Sequence, residues 1–259
     1  MPTSMARAIR LLASDIDGTV TTNGRLAVQV VRRFQELEDN GVSVVLITGR
    51  PAGWAGALAQ YLPGVRAVLS ENGAILSTSD MTSPPIQLDG FTAKEVEERR
   101  ARVSWCLTAI QRIYPKIRMG VENPFRLTDT TFEVDPSIDV EKVGEVARTF
   151  NVRHTFSSVH HHLSISDLDK RTGLIRALDI IAPEIANDLK TVAVTLGDSV
   201  NDASLFDREC FAATVGVAGI RKSLSLLPNS GPEYITHGDA SDGFLELSAL
   251  LLESRALNV

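Results

Sequence analysis

Cysteine, lysine and aromatic residues are scarce in this chain, and long apolar runs are missing from it. Each shortage excludes something. The two cysteines, Cys106 and Cys210, lie far apart and fit no metal spacing, so both are expected as buried thiols of a reducing compartment. Aromatics make up 5% of a chain that is 44% hydrophobic, so its core must be aliphatic. No apolar stretch approaches the length of a membrane span. The segment from Met1 to Ala13 lacks a signal-peptide core and runs straight into a strand; a cytoplasmic location without a membrane partner is expected. The net charge is −6, and no basic stripe of the kind nucleic acid selects is present. The expected partner is a small molecule. Nothing in the sequence speaks to oligomeric state, and there are no low-complexity tracts or repeats.

What is present begins with Asp15-Ile16-Asp17-Gly18-Thr19, directly after the apolar run Leu11-Leu12-Ala13. Residues i and i+2 of an extended chain point the same way. Two carboxylates on one face of a strand end are costly unless a cation or a shared proton relieves them. One carboxylate that attacks, one that handles a proton, and a divalent metal between them would explain the pair. Alone, the segment could equally be an Asp-started turn.

Three later segments repeat the pattern of strand, then polar turn, then helix. Val44-Val45-Leu46-Ile47 runs into Thr48-Gly49-Arg50-Pro51, placing a hydroxyl and an amide where a helix N-terminus favours an anion. Lys170, one of only 6 lysines beside 20 arginines, stands just before a helix; an ammonium suits a phosphoryl oxygen and a neighbouring carboxylate. Val192 to Leu196 runs into Gly197-Asp198-Ser199-Val200-Asn201-Asp202, whose carboxylates are hard ligands of the kind magnesium takes. Each has a plain reading: an ordinary connection, a solvated lysine, a capped helix with an acidic first turn.

Taken in order, the four segments resemble the motifs of the haloacid dehalogenase superfamily of aspartate-nucleophile phosphotransferases: DIDGT at 15–19, the strand end at Thr48, Lys170, and GDSVND at 197–202. The resemblance spans Leu11 to about Leu251 and implies a magnesium-dependent phosphatase of a small phosphorylated metabolite, phosphoglycolate or a sugar phosphate. It implies that Asp15 attacks phosphorus to give an aspartyl-phosphate, and that Asp17 protonates the leaving oxygen and then activates water. Asp15, Asp17 through its carbonyl, and Asp198 would hold magnesium, with Asp202 behind them. Thr48, Gly49, Lys170 and Asn201 would bind the phosphate. A phosphomutase of the phosphomannomutase type, or a non-catalytic binding protein on the same fold, are the alternatives.

The alternation of strands and helices over residues 9–80 and after 165 predicts an α/β fold with a doubly wound, Rossmann-like parallel sheet. Between them, Thr82-Ser83-Pro84-Pro85 marks a linker, and the following pattern reads helix, two strands, helix, two strands. This predicts a core of residues 1–83 and 166–259 with an α+β insertion at 84–165. The insertion resembles the αββαββ cap of subclass IIB (the C2B type), as does Glu71-Asn72-Gly73-Ala74. It looks short for the Cof type and closer to the phosphoglycolate and sucrose-phosphate groups. Within it, Leu163 and Ile165 mark the packed face of one strand, Val152 and Phe156 that of another, and Ile117 and Met119 that of a third. Arg118, Arg153, His160 and His162 are then expected on the free face, over the metal site, with the two arginines suited to a carboxylate or a second anionic group and the substrate expected to carry a carboxylate or several hydroxyls beyond its phosphate. His160-His161-His162 reads as strand polarity rather than a metal site.

Overall fold

The computed structural model describes residues 1–80, 82–156, 160–227 and 231–256. Its strands are β1 (Leu11–Asp15), β2 (Ser43–Ile47), β3 (Val65–Ser70), β4 (Ile75–Thr78), β5 (Ile86–Gln87), β6 (Asp129–Glu133), β7 (Arg153–Phe156), β8 (His160–Ser164), β9 (Ala193–Gly197), β10 (Ala213–Gly216) and β11 (Tyr234–Ile235). Its helices are α1 (Thr3–Ala8), α2 (Val28–Asp39), α3 (Ala52–Tyr61), α4 (Ala93–Ile113), α5 (Val140–Thr149), α6 (Lys170–Ile181), α7 (Pro183–Ala186), α8 (Leu189–Val192) and α9 (Ala240–Ala256).

The larger sheet has the order β11-β10-β9-β1-β2-β3-β4-β5. The six strands from β11 to β3 are parallel, and β4 and β5 extend the edge antiparallel. Strand residues alternate between two cores. Leu12, Leu46, Val68 and Leu196 pack with Phe34 of α2 and Phe244 of α9, whose rings meet edge-on at 5.3 Å. Leu11, Ala13, Ile47 and Leu69 pack with Leu174 and Leu178 of α6. Helices on both faces force a near-continuous apolar reading of the strands, which is how they look in the sequence. Chain order reverses between β1 and β9, and a crevice opens beyond their carboxyl ends.

The antiparallel edge was not anticipated. It begins at a turn, Glu71–Gly73, in which three successive residues take positive φ, 51° at Glu71, 59° at Asn72 and 98° at Gly73. That turn reverses the chain in place of a helical crossover.

The residues between β5 and α6 build a second, three-stranded antiparallel sheet, β6-β8-β7, backed by α4 and α5. Its core is Val103, Cys106, Ile110, Phe132, Val143 and Leu163. Thr92 caps α4 through a full capping box with Glu95. The strand expected around Ile117, Met119 and Val121 is reduced to one bridge, Met119 to Phe132. The reason is local: the side-chain amide of Asn123 takes both the N–H and the carbonyl of Thr131, each at 2.8 Å, so the edge of β6 is satisfied without a longer partner. Cys106 is buried and Cys210 only half-buried; both are free thiols. Among the described residues, no helix is long and apolar enough to cross a membrane.

Candidate active site

Four of the sequence segments end at the same crevice. Asp15 is the last residue of β1, and Asp198 follows β9, its neighbour. Asp15, Asp198 and Asp202 bring one carboxylate oxygen each to within 4.8 Å of one another. Gly18 has φ +82°, and a Cβ there would stand 2.6 Å from Oδ2 of Asp198, so the loop after Asp17 can close over the cluster only without a side chain.

Lys170 reaches this cluster from the first turn of α6. Asp169 caps that helix, accepting from the Thr172 amide at 2.7 Å, which fixes the direction in which Lys170 leaves. The Lys170 ammonium donates to Asp15 at 2.6 Å and to Asp202 at 2.7 Å, with only 2% of its side chain exposed. Burial by itself would lower its pKa, but the two carboxylates outweigh that and raise it, so it stays charged. Asp202 is fully buried, and its other oxygen accepts the amides of Asp198 and Ser199 at 3.0 and 3.1 Å. It thus shapes the loop that carries Asp198.

One ammonium does not balance three carboxylates. Burial, and after it the neighbouring carboxylates, push Asp198 up to about 8. Asp15 rises to about 7, again chiefly by burial, even with Lys170 beside it. Hard oxygen donors that lack enough positive charge are a site a divalent cation fits.

Asp17 turns the other way. Its two oxygens accept from Nε and Nη2 of Arg50 at 3.0 and 2.9 Å, a two-point fork. The third nitrogen of Arg50 donates to Glu122 at 2.7 Å, so one guanidinium joins the core to the loop before β6. Thr48 is buried, and its hydroxyl accepts the Arg50 amide at 3.0 Å. The carbonyl of Gly49 accepts from Arg126 at 3.0 Å. Asn201 donates to Asn72 at 2.9 Å, forming a wall between two parts of the crevice. One part, a cavity of 370 Å³, is lined by Asp15, Asp17, Arg50, Glu122, His162 and Asp198 among others. The other, of 790 Å³, lies beside Lys170, Arg171 and Arg153.

The face assignment in the second sheet holds at β8. His160 and His162 look into the smaller cavity, while His161 is buried on the opposite side, stacked on Phe132 at 4.7 Å. His162 shares a 2.7 Å hydrogen bond with buried Asp129. No cluster that could hold a metal includes these histidines among the described residues. The two arginines of this face lie apart from the histidines. Arg118 lies opposite Glu133, on the face of His160, and pairs with Glu133 at 2.5 Å, but at the outer edge of the sheet it is largely exposed and borders a different cavity. Arg153 pairs across from Ser164, borders the larger cavity beside Lys170, and donates through Nη1 to the carbonyls of Asp167 and Leu168 on the chain crossing back to the core.

Sequence reasoning passes over Glu122, Arg126 and Asp129 as site residues and gives Arg50 and Glu71 no definite role. Arg50 and Glu71 stand inside segments the sequence singles out; the other three carry no local signal, because their partners come from distant segments.

A model of haloacid dehalogenase-like hydrolases matches residues 12–100. A phosphoglycolate phosphatase of Halorubrum lacusprofundi is 30% identical over 201 residues, covering 75% of this chain and 79% of that protein. The chain belongs to the haloacid dehalogenase superfamily. It is a hydrolase of phosphoric monoesters. A phosphoglycolate phosphatase of Methanococcoides burtonii is 26% identical over 211 residues, 81% of this hydrolase and 84% of the relative. The fold of the hydrolase is that of the sucrose-phosphatase of Synechocystis sp. PCC6803, solved with sucrose and phosphate, at a TM-score of 0.67 and 19% identity over 95% of this chain and 98% of that one.

Proposed function

We propose that this phosphatase is magnesium-dependent and hydrolyses a small phosphorylated metabolite, a phosphoglycolate or sugar phosphate, through an aspartyl-phosphate. The observation that carries the reading is the buried Lys170 between Asp15 and Asp202, with Asp198 completing the carboxylate cluster. We assign the core to residues 1–88 and 166–259 and the cap to 89–165; the boundary expected at 84 moves because β5 pairs with β4 of the larger sheet and Leu88 packs in its core.

An oxygen of Asp15 attacks phosphorus, and the bond to the leaving oxygen breaks. Lys170 already fixes Oδ1 of Asp15, which orients the carboxylate and leaves Oδ2 for the attack. Asp17 gives a proton to the leaving oxygen, then takes one from the water that attacks the aspartyl-phosphate and frees Asp15. Thr48, Gly49, Lys170 and Asn201 hold the phosphoryl oxygens. Asp15, Asp198 and the carbonyl of Asp17 would hold magnesium, with Asp202 steadying their loop; when bound, the ion offsets the charge gathered around phosphorus.

Phosphate release from a panel of phosphorylated metabolites, with magnesium and with chelator, tests the reading. Asp15→Asn should lose turnover while its far-UV circular dichroism is unchanged, because the amide is a poor nucleophile of the same shape. Full activity in that variant would remove Asp15 from the mechanism.

A further inference from the structure

The leaving group must lie within reach of Asp17, and Asp17 borders the smaller cavity, not the larger one. What faces it there decides which leaving groups are accepted. Two arginines border this cavity, and both are already paired with carboxylates. Arg50 gives its fork to Asp17 and its third nitrogen to Glu122. Arg126 gives Nη1 to both oxygens of Asp129 and to the Gly49 carbonyl, and Nη2 to Glu122 at 3.4 Å. With 1% of its side chain exposed, Arg126 cannot meet a ligand without leaving those partners. Lys170 is buried behind Asp15. Even with a divalent cation on Asp15 and Asp198, three carboxylates, Asp17, Glu122 and Asp129, face two guanidiniums and one imidazole, that of His162, which is itself held by Asp129 at 2.7 Å.

Glu122 is the hinge of this balance. It touches both arginines and is itself only 12% exposed in its side chain. Its loop is fixed by Asn123, whose amide is locked to Thr131. A substrate carboxylate placed here would meet a like charge in a partly closed cavity and find no uncommitted cation. A hydroxyl would meet acceptors instead.

Resting on the phosphatase reading and on Asp17 as the group beside the leaving oxygen, we infer that Glu122 is a specificity-determining residue that selects against leaving groups bearing a carboxylate and in favour of neutral, hydroxyl-bearing ones. This departs from what the names of the curated relatives suggest.

The test compares kcat/KM for 2-phosphoglycolate and 2-hydroxyethyl phosphate, which differ in carboxylate against hydroxyl at the same chain length. The wild type should favour 2-hydroxyethyl phosphate by roughly tenfold or more. Glu122→Gln should bring the ratio to near unity or reverse it, by gain on phosphoglycolate. Glu122→Asp, which keeps the charge, should retain the discrimination. Reading a ratio cancels any general loss of activity, and the wild-type ratio stands even if a variant fails to fold. A wild type that prefers phosphoglycolate, or a ratio unmoved by Glu122→Gln, overturns the inference alone. No phosphate release from either compound, nor from 4-nitrophenyl phosphate with magnesium, overturns the phosphatase reading and the inference together.

Discussion

At the scale of single residues, the site is defined by carboxylates held at a cost. Asp15 and Asp198 have pKa values raised to about 7 and about 8, so the metal-free folded state holds protons that the unfolded chain has released above its usual carboxylate value of 3.8. A group raised in this way stabilises the fold below its unfolded pKa and loses that contribution as pH climbs through the folded value. Without metal, the melting temperature should therefore fall between about pH 4 and pH 8 through these two groups. Magnesium favours the ionised forms, so the stabilisation it gives should grow across pH 6 to 8. Thermal melts with and without magnesium check this, and Asp198→Asn should flatten the dependence. A magnesium effect independent of pH would contradict the site.

At the scale of elements, the turn after β3 does more than reverse the chain. The carboxylate of Glu71, 2% exposed, accepts the Ala52 amide at the start of α3, at 3.1 Å. It also accepts the amides of Leu127 and Thr128 at 2.8 and 2.5 Å and the Thr128 hydroxyl at 2.6 Å, just before β6. One side chain thus ties a core helix to the second sheet. Burial raises its pKa, as does nearby Asp129, yet four donors surround it. Glu71→Ala would leave buried amides without an acceptor and should cost about 2–4 kcal/mol. It should also loosen the loop that carries Glu122 and Arg126, raising KM. Chemical denaturation and kinetics on the same variant check both; a loss under about 0.5 kcal/mol, the scale of an ordinary surface change, would show that the tie is idle.

At the scale of the whole molecule, the two sheets are joined by polar groups. The crossings are fastened by arginines: Arg153 to the carbonyls of Asp167 and Leu168, Arg99 to that of Ile165, and Arg176 to that of Leu88. Arg153 therefore acts on the relation between sheets rather than on one substrate. Arg153→Ala should raise amide hydrogen exchange at 165–169 and lower kcat/KM for alkyl and aryl phosphates by the same factor, within about threefold. Loss confined to one substrate class would return Arg153 to the specificity surface.

The chain by itself determined the parallel strands, the motif order and the face of β8. Buried parallel strands must be apolar throughout, Asp15, Lys170 and Asp198 sit beside strand or helix ends readable from their neighbours, and a period of two put His160 and His162 on one side. The turn at Asn72-Gly73 was readable, but the antiparallel return was not, because it also needs positive φ at Glu71, a residue type that gives little warning of it. The distance of Arg118 from the site was not readable, because the period of two gives its face but not that its segment lies at the outer edge of β6. Only the tertiary structure decided that Arg50, Glu122, Arg126 and Asp129 form one linked set. An ion pair depends on distance in space, and 72 residues of chain separate Arg50 from Glu122.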